Sequence, residues 1–457
     1  MFGIGRSRML TAAGAVAVTA ALAAAGATPV GATPAPAAPV QVCLAPGGAQ
    51  PDQASYPDGL SADGRTALFE SLATNLVPGG NNGNGGIFAC ELRSGRVERA
   101  DVSDSGAQPD GFSYEGALSA DGRYVVFTSA AGNLAPGATP GIENVYLRDL
   151  RRHHTELISV GTGGGPQVGG SSQPAVSADG RYVAFSSNRA DLVPGDTDSA
   201  ADVFVRDRRT GTTVLVSVHS DGSPAAAGSF RPSISADGSR VVFTSRDRGL
   251  AGSAAAPAAV SAVAAAGQEA APRKARFYPL FTHDLRTGRT AVASAEPDGT
   301  TADVTDGMIS ADGRHAEFTS LDNNYLAPSQ VMVRDLDRGT TTVVSTAPDG
   351  TAGDQDSSMV GLSPDGRWSY FSSSAGNLLP GGGAPGQSFG YYRRDLRTGR
   401  TQRLPGIPDL ANAGTEVTGS AVDAAGSTLL LGADGSKLLP GDTNQTPQLF
   451  TLRLPRH

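Results

Sequence analysis

Leu118-Ser-Ala-Asp-Gly-Arg-Tyr-Val-Val-Phe-Thr-Ser129 decides the fold, because the chain says it again and again. The phrase recurs as Leu60-Ser-Ala-Asp-Gly-Arg65, Val176-Ser-Ala-Asp-Gly-Arg181, Ile234-Ser-Ala-Asp-Gly-Ser239, Ile309-Ser-Ala-Asp-Gly-Arg314 and Leu362-Ser-Pro-Asp-Gly-Arg367. A decayed seventh copy is Val422-Asp-Ala-Ala-Gly-Ser427. Counted at the Asp (Asp63, Asp121, Asp179, Asp237, Asp312, Asp365, then Ala425), the steps are 58, 58, 58, 75, 53 and 60 residues. A near-constant period of this size marks a repeat architecture.

Each unit resolves into four short strands. Strand A ends on the apolar residue before Ser-Ala-Asp-Gly. The Asp-Gly pair makes a tight turn, since Gly takes positive φ freely and Asp tolerates it. Strand B follows, as in Tyr182-Val-Ala-Phe-Ser-Ser187. Strand C is Val145-Tyr-Leu-Arg-Asp-Leu150 or Val203-Phe-Val-Arg-Asp207, and a second turn such as Arg209-Thr-Gly-Thr212 leads to strand D, as in Val214-Leu-Val-Ser-Val218. Seven four-stranded units that cannot bury both faces alone read as an all-β, seven-bladed β-propeller with four antiparallel strands per blade. The last unit stops after strand C, Gln448-Leu-Phe-Thr-Leu-Arg453, while Val40-Gln-Val-Cys-Leu44 is an orphan D-like strand. The N-terminal strand is therefore expected to close the last blade and leave no free edge at the seam.

Composition agrees. Gly (60) and Pro (30) make up nearly a fifth of the 457 residues, and charged residues only 18%, which excludes a long coiled coil and argues against a helical bundle. The formal net charge of -8 lacks the long-range attraction to phosphates that nucleic-acid binding needs. Residues 1–32 read as an export signal: Arg6 and Arg8 precede an uncharged Ala-rich run. An Ala/Pro-rich linker, 33–40, then leads into the propeller, 41–457, which carries a low-complexity insert, 251–271, in blade 4. The expected product is secreted, monomeric and without a membrane span after cleavage. Two cysteines, Cys43 and Cys90, fit one disulfide in an exported chain, although the outer strands of neighbouring blades diverge.

The Ser-(Ala/Pro)-Asp-Gly-Arg-x-x-x-Phe-x-Ser core and the Val-(Phe/Tyr)-Val-Arg-Asp strand resemble the WD-repeat-like propeller repeat of the TolB family, over about residues 41–457. Such propellers serve as docking platforms, as lyases and as partner domains of peptidases, so the resemblance implies a fold and leaves several functions open. The repeat here is longer than the common 40–45 residues, with the extra length in the B–C loops.

Strand direction puts the tight A–B and C–D turns on one face and the long B–C and D–A loops on the other, the default binding surface. Six residues before the motif Asp, Glu115, Gln173, Arg231 and Asp306 are expected at the channel rim, with Pro57, Met359 and Gly419 in the other blades. A non-catalytic binding or scaffold module for a protein, a peptide or an envelope glycan is the expected function. The alternative is a polysaccharide lyase or hydrolase using Glu115, Arg231 and Asp306. No Gly-x-Ser-x-Gly elbow occurs, and the six histidines scatter over the repeats. Ser55, Ser113, Ser171, Ser229 and Ser357 recur eight residues before the Asp and are expected to bond loop backbone. Calcium is the one candidate cofactor: Asp196, Asp198 and Asp202 have the spacing of a calcium-loop start, but the loop lacks the Gly and distal Glu of that motif, which favours a turn of solvated acids. If calcium binds there, it raises the melting temperature of the wild type and not of Asp198→Ala; the same rise in both proteins removes the site.

Overall fold

The computed structural model describes residues 39–81, 83–163, 168–196, 199–252, 277–321, 327–382, 389–404, 417–434 and 446–454. The export signal, most of the linker and all but the first two residues of the insert lie outside these. The described residues form seven four-stranded antiparallel sheets, a seven-bladed propeller. Blade 2 shows the pattern: A is Ser113–Leu118, B Tyr124–Ser129, C Asn144–Asp149 and D His154–Leu157. The A strands of neighbouring blades touch and so ring the central channel. In blade 7, Val417–Val422, Thr428–Asp434 and Pro447–Arg453 are completed by Val40–Gln41, paired Val40 to Thr451 and Gln41 to Phe450. The strand is two residues long: it follows Pro39, and Val42 N still donates to Leu449 O (3.0 Å) before Cys43 turns the chain away at φ 58°.

The motif explains itself in the turns. Ser119 Oγ donates to Asp121 Oδ1 (2.7 Å) and accepts from Tyr124 N (2.9 Å), while Arg123 N donates to the same Asp oxygen (3.1 Å). Gly122 sits at φ 67°, where a side chain would be strained. The Arg then reaches strand C: Arg123 to Asp149 (2.6 Å), Arg181 to Asp207 (2.5 Å) and Arg367 to Asp395 (2.8 Å). The arginine bonds hold the Asp207 and Asp395 carboxyls down at about 2. Where blade 4 has Ser239, the next residue, Arg240, makes the bond to Asp284 instead (3.2 Å). In the decayed copy, Asp423 does the serine's work, accepting from Ser427 N (2.7 Å) and Thr428 N (3.1 Å).

Apolar side chains are buried between blades. Seven clusters occur among the described residues, each shared by two neighbours. The motif Phe of strand B stacks across to an aromatic of strand C, as Phe127 on Tyr146 (5.7 Å between centroids) and Phe371 on Tyr392 (5.5 Å); each buried ring contributes about 2 kcal/mol. On the tight-turn side the blades also join by backbone bonds, including Ala62 N to Ala120 O and Ala178 N to Ala236 O. Ala424 N to Ala62 O (2.9 Å) closes the ring.

The arginines of strand C brace blades from outside. Arg148 donates to Thr155 Oγ1 (3.0 Å), whose hydroxyl donates to Val102 O in the loop arriving from blade 1 (2.5 Å). His283 and Arg334 repeat this through Thr290 and Thr341. In blade 1 the arginine's place is held by Cys90, which is bonded to Cys43 with Cα atoms 5.7 Å apart. The divergence of outer strands is no obstacle, because the D–A loop folds back over the outer strands of the following blade. At the seam a covalent bond thus replaces the hydrogen-bonded brace.

One buried residue breaks the pattern. Five residues after the motif Asp, Leu68, Val126, Ala184, Val242 and Leu430 are fully buried; blade 5 has Glu317, also 0% exposed. Its Oε1 accepts from Ser369 of blade 6, and its Oε2 has no partner. Burial pushes its carboxyl up to about 8, against the pull of the Ser369 hydroxyl. The folded chain therefore keeps a proton that the unfolded chain releases above about pH 4.5. Stability from this group is whole below that pH and is lost as the pH rises towards 8. Glu317→Leu is expected to raise the melting temperature by a few degrees more at pH 8 than at pH 5; an equal change at both pH values contradicts this reading.

Candidate functional site

The channel mouth on the long-loop face is built by an irregularity in strand A. In every blade the A–B register shifts in mid-strand, as between Tyr114 and Ala117, Ser172 and Ala175, and Phe230 and Ser233. These are β-bulges, and the bulged residues Glu115, Gln173 and Arg231 take φ of 55°, 56° and 53°. Left-handed backbone costs a non-glycine residue on the order of 1 kcal/mol. A bulge frees an N–H from the ladder, and in blades 2, 3, 4 and 6 that N–H is taken up by the preceding blade. Glu115 N donates to Glu70, Gln173 N to Glu115 Oε2 (2.8 Å), Arg231 N to Gln173 Oε1 (3.0 Å) and Met359 N to Thr319 Oγ1 (2.9 Å). Arg231 continues the chain to Thr305 O (2.5 Å) in blade 5, where Asp306 accepts from the next residue's own N–H (2.9 Å). Glu115, Gln173, Arg231 and Asp306 are thus brought to one rim. The first three are joined side chain to backbone, blade to blade, rather than facing one another across a pocket.

The rim's charge is uneven. Asp58 and Glu70 of blade 1 and Glu115 of blade 2 share one side of the channel. Burial first, then the Glu70 and Glu115 carboxylates, push the Asp58 carboxyl well above the usual range. Burial likewise raises Glu70, opposed by its bond from the Glu115 N–H. Tyr114 donates to the exposed Glu143, and burial followed by that bond raises its hydroxyl. Around the same mouth, Leu72 (49%), Phe112 (63%) and Val168 (77%) are exposed on the long loops of blades 1 to 3. Two grooves lie between blades toward the outside, one of about 490 Å³ beside Asp121 and one of about 530 Å³ beside Cys43.

Other sequence candidates fall as follows. Asp202 is buried at the start of strand C, accepting from Ser217 Oγ (2.5 Å), a place held by Asn144 in blade 2 and Gln330 in blade 5. Asp196 is buried, and Asp198 lies outside the described residues. Among the described residues no group of three or more His, Cys, Asp or Glu stands close enough to hold a metal ion. The recurring serines pair with strand B serines, as Ser55 with Ser71 (2.9 Å) and Ser171 with Ser187 (2.8 Å), and it is the strand B partner that bonds loop backbone. Sequence reasoning missed the role of Glu70, whose signal was an acid at a strand B position that holds Thr or Ser in blades 2 to 6.

No protein-family model matches the sequence, and no curated protein matches it. Solved structures resemble it in fold. One is an oligogalacturonate lyase in complex with manganese (TM-score 0.52, 13% identity, 92% of this chain and 97% of that one). Another is an oligogalacturonate lyase from Vibrio parahaemolyticus (0.51, 12%, 88% and 92%). A third is a TolB-like protein from Agrobacterium tumefaciens (0.38, 15%, 64% and 80%). At such identities the likeness is one of fold alone.

If the rim acids are structural, Glu115→Gln, which keeps the acceptor, is expected to leave stability near wild type. Glu115→Ala strands the Gln173 N–H and costs about 1 kcal/mol. Urea unfolding of both variants checks this, and equal stability of the two refutes it.

Proposed function

We propose that the protein is a secreted, non-catalytic binding module whose macromolecular partner docks on the long-loop face around the channel mouth. The observation that carries this reading is the use of the rim side chains. Glu115 and Gln173 each accept the next blade's N–H, and Arg231 donates to a carbonyl. An acid or base for elimination works together with other groups that converge on one substrate, whereas Glu115 Oε2, Gln173 Oε1 and one Arg231 nitrogen are each spent on holding a neighbouring blade's backbone. The exposed Leu72, Phe112 and Val168 suit a partner surface.

A lyase reading would follow the fold neighbours, whose names give oligogalacturonate as substrate and manganese as ligand. Oligogalacturonate is a polyanion. A mouth holding Asp58, Glu70, Glu115, Glu143 and Asp306 with Arg231 works against it. A manganese centre needs converging ligands, and the described residues do not offer that group, so no step is routed through a metal. Incubation of the full chain with oligogalacturonate, with and without manganese, is expected to give no rise in the ultraviolet absorbance of unsaturated uronate. A panel of peptides, proteins and envelope glycans is expected to include one whose binding is weakened at least tenfold by Phe112→Ser. Turnover, or a binder indifferent to Phe112, overturns the proposal.

A further inference from the structure

Five copies of the motif end in Arg, and four of them are followed by a ring: Tyr124, Tyr182, His315 and Trp368. The exception is Thr66 in blade 1. The ring has two contacts. The motif guanidinium lies over it, Arg123 over Tyr124 (4.6 Å), Arg181 over Tyr182 (4.5 Å) and Arg367 over Trp368 (5.1 Å). Its edge presses on the turn glycine of the next blade, so closely that a Cβ on Gly180 would stand 2.2 Å from Tyr124 and one on Gly238 2.1 Å from Tyr182. Between blades 2 and 3 a second guanidinium, Arg208, also lies over Tyr124 at 4.9 Å.

Between blades 1 and 2 the same place holds Thr66 against Gly122, and the ring is missing. The groove there is about 490 Å³; the matching groove between blades 3 and 4, where Tyr182 is part of the wall, is about 380 Å³. Arg65, the counterpart of Arg123, has no ring beneath it; its side chain is 62% exposed and lies 3.5 Å from Asp63. Leu150 and Ala89 line the groove, and Arg151 stands at its side. We propose that this slot on the tight-turn face receives an aromatic side chain of a polypeptide partner, which takes the position that Tyr124 and Tyr182 hold in their own blades. Arg65 stacks on the incoming ring as Arg123 does on Tyr124. The slot lies on the face opposite the long loops, so the inference stands or falls apart from the function proposed above.

Saturation-transfer NMR on the full chain tests it with N-acetyltyrosinamide, N-acetylleucinamide and p-cresol as probes. The tyrosine probe is expected to receive saturation and the leucine probe not. Thr66→Tyr fills the slot from within; it is expected to melt no lower than wild type and to abolish the transfer. Arg65→Ala, a surface change, is expected to weaken binding at least threefold. No transfer to N-acetyltyrosinamide, or transfer unchanged in both variants, overturns the proposal. Transfer to p-cresol alone overturns the polypeptide as occupant.

Discussion

A bulge in an inner strand leaves one backbone N–H without its ladder partner, and a buried donor left so costs about 1–3 kcal/mol. In this propeller the debt is met across the blade boundary. Glu70, Glu115, Gln173 and Thr319 each lend an oxygen to the following blade. Much else follows from that transfer. The A strands bend at the bulge and crowd the channel. Side chains that look variable and polar in the sequence are fixed by position, since Glu, Gln and Thr all supply an acceptor. The rim is then a girdle at one end of the channel, with the Ala-to-Ala backbone bonds forming a second at the other.

Turns were the most legible part of the chain. Ser-Ala-Asp-Gly encodes its own hydrogen bonds over a handful of residues, so the blade count, the strand order and the closing N-terminal strand could all be read before any coordinates. Contacts between blades were not legible, because they join residues about 58 positions apart that share no local pattern. Nothing local in strand C shows that its arginines are covered, yet Arg148 is 4% exposed and tied to Thr155. The Thr-to-carbonyl braces and the role of Glu70 belong to the same class. The partners of the rim residues could not be seen, since a bulge leaves no mark in the alternation of apolar residues.

The repeat is most informative where it fails. Glu317 in an apolar column, Cys90 in a column of mostly arginine and Thr66 in a column of mostly rings each depart from what most of the other blades hold. Each departure has its own physical outcome: a proton held in the core, a covalent brace, an unfilled slot. The blades solve one packing problem seven times under the same constraints, so a residue that departs from its column marks a place where another requirement prevails.

The two-residue closing strand also sets an order of events. Val40 pairs with Thr451, 411 residues further on (451 less 40), so the closing strand must wait until the strands of blade 7 are made before it has a partner. A free strand end wandering over that interval is exposed to other chains and slow to return. Cys43 and Cys90 lie only 47 residues apart, and their bond needs nothing beyond blade 1. Once made, it moors the waiting strand beside the gap that blade 7 will fill, and the final ring closure becomes a short local step instead of a search across the whole chain.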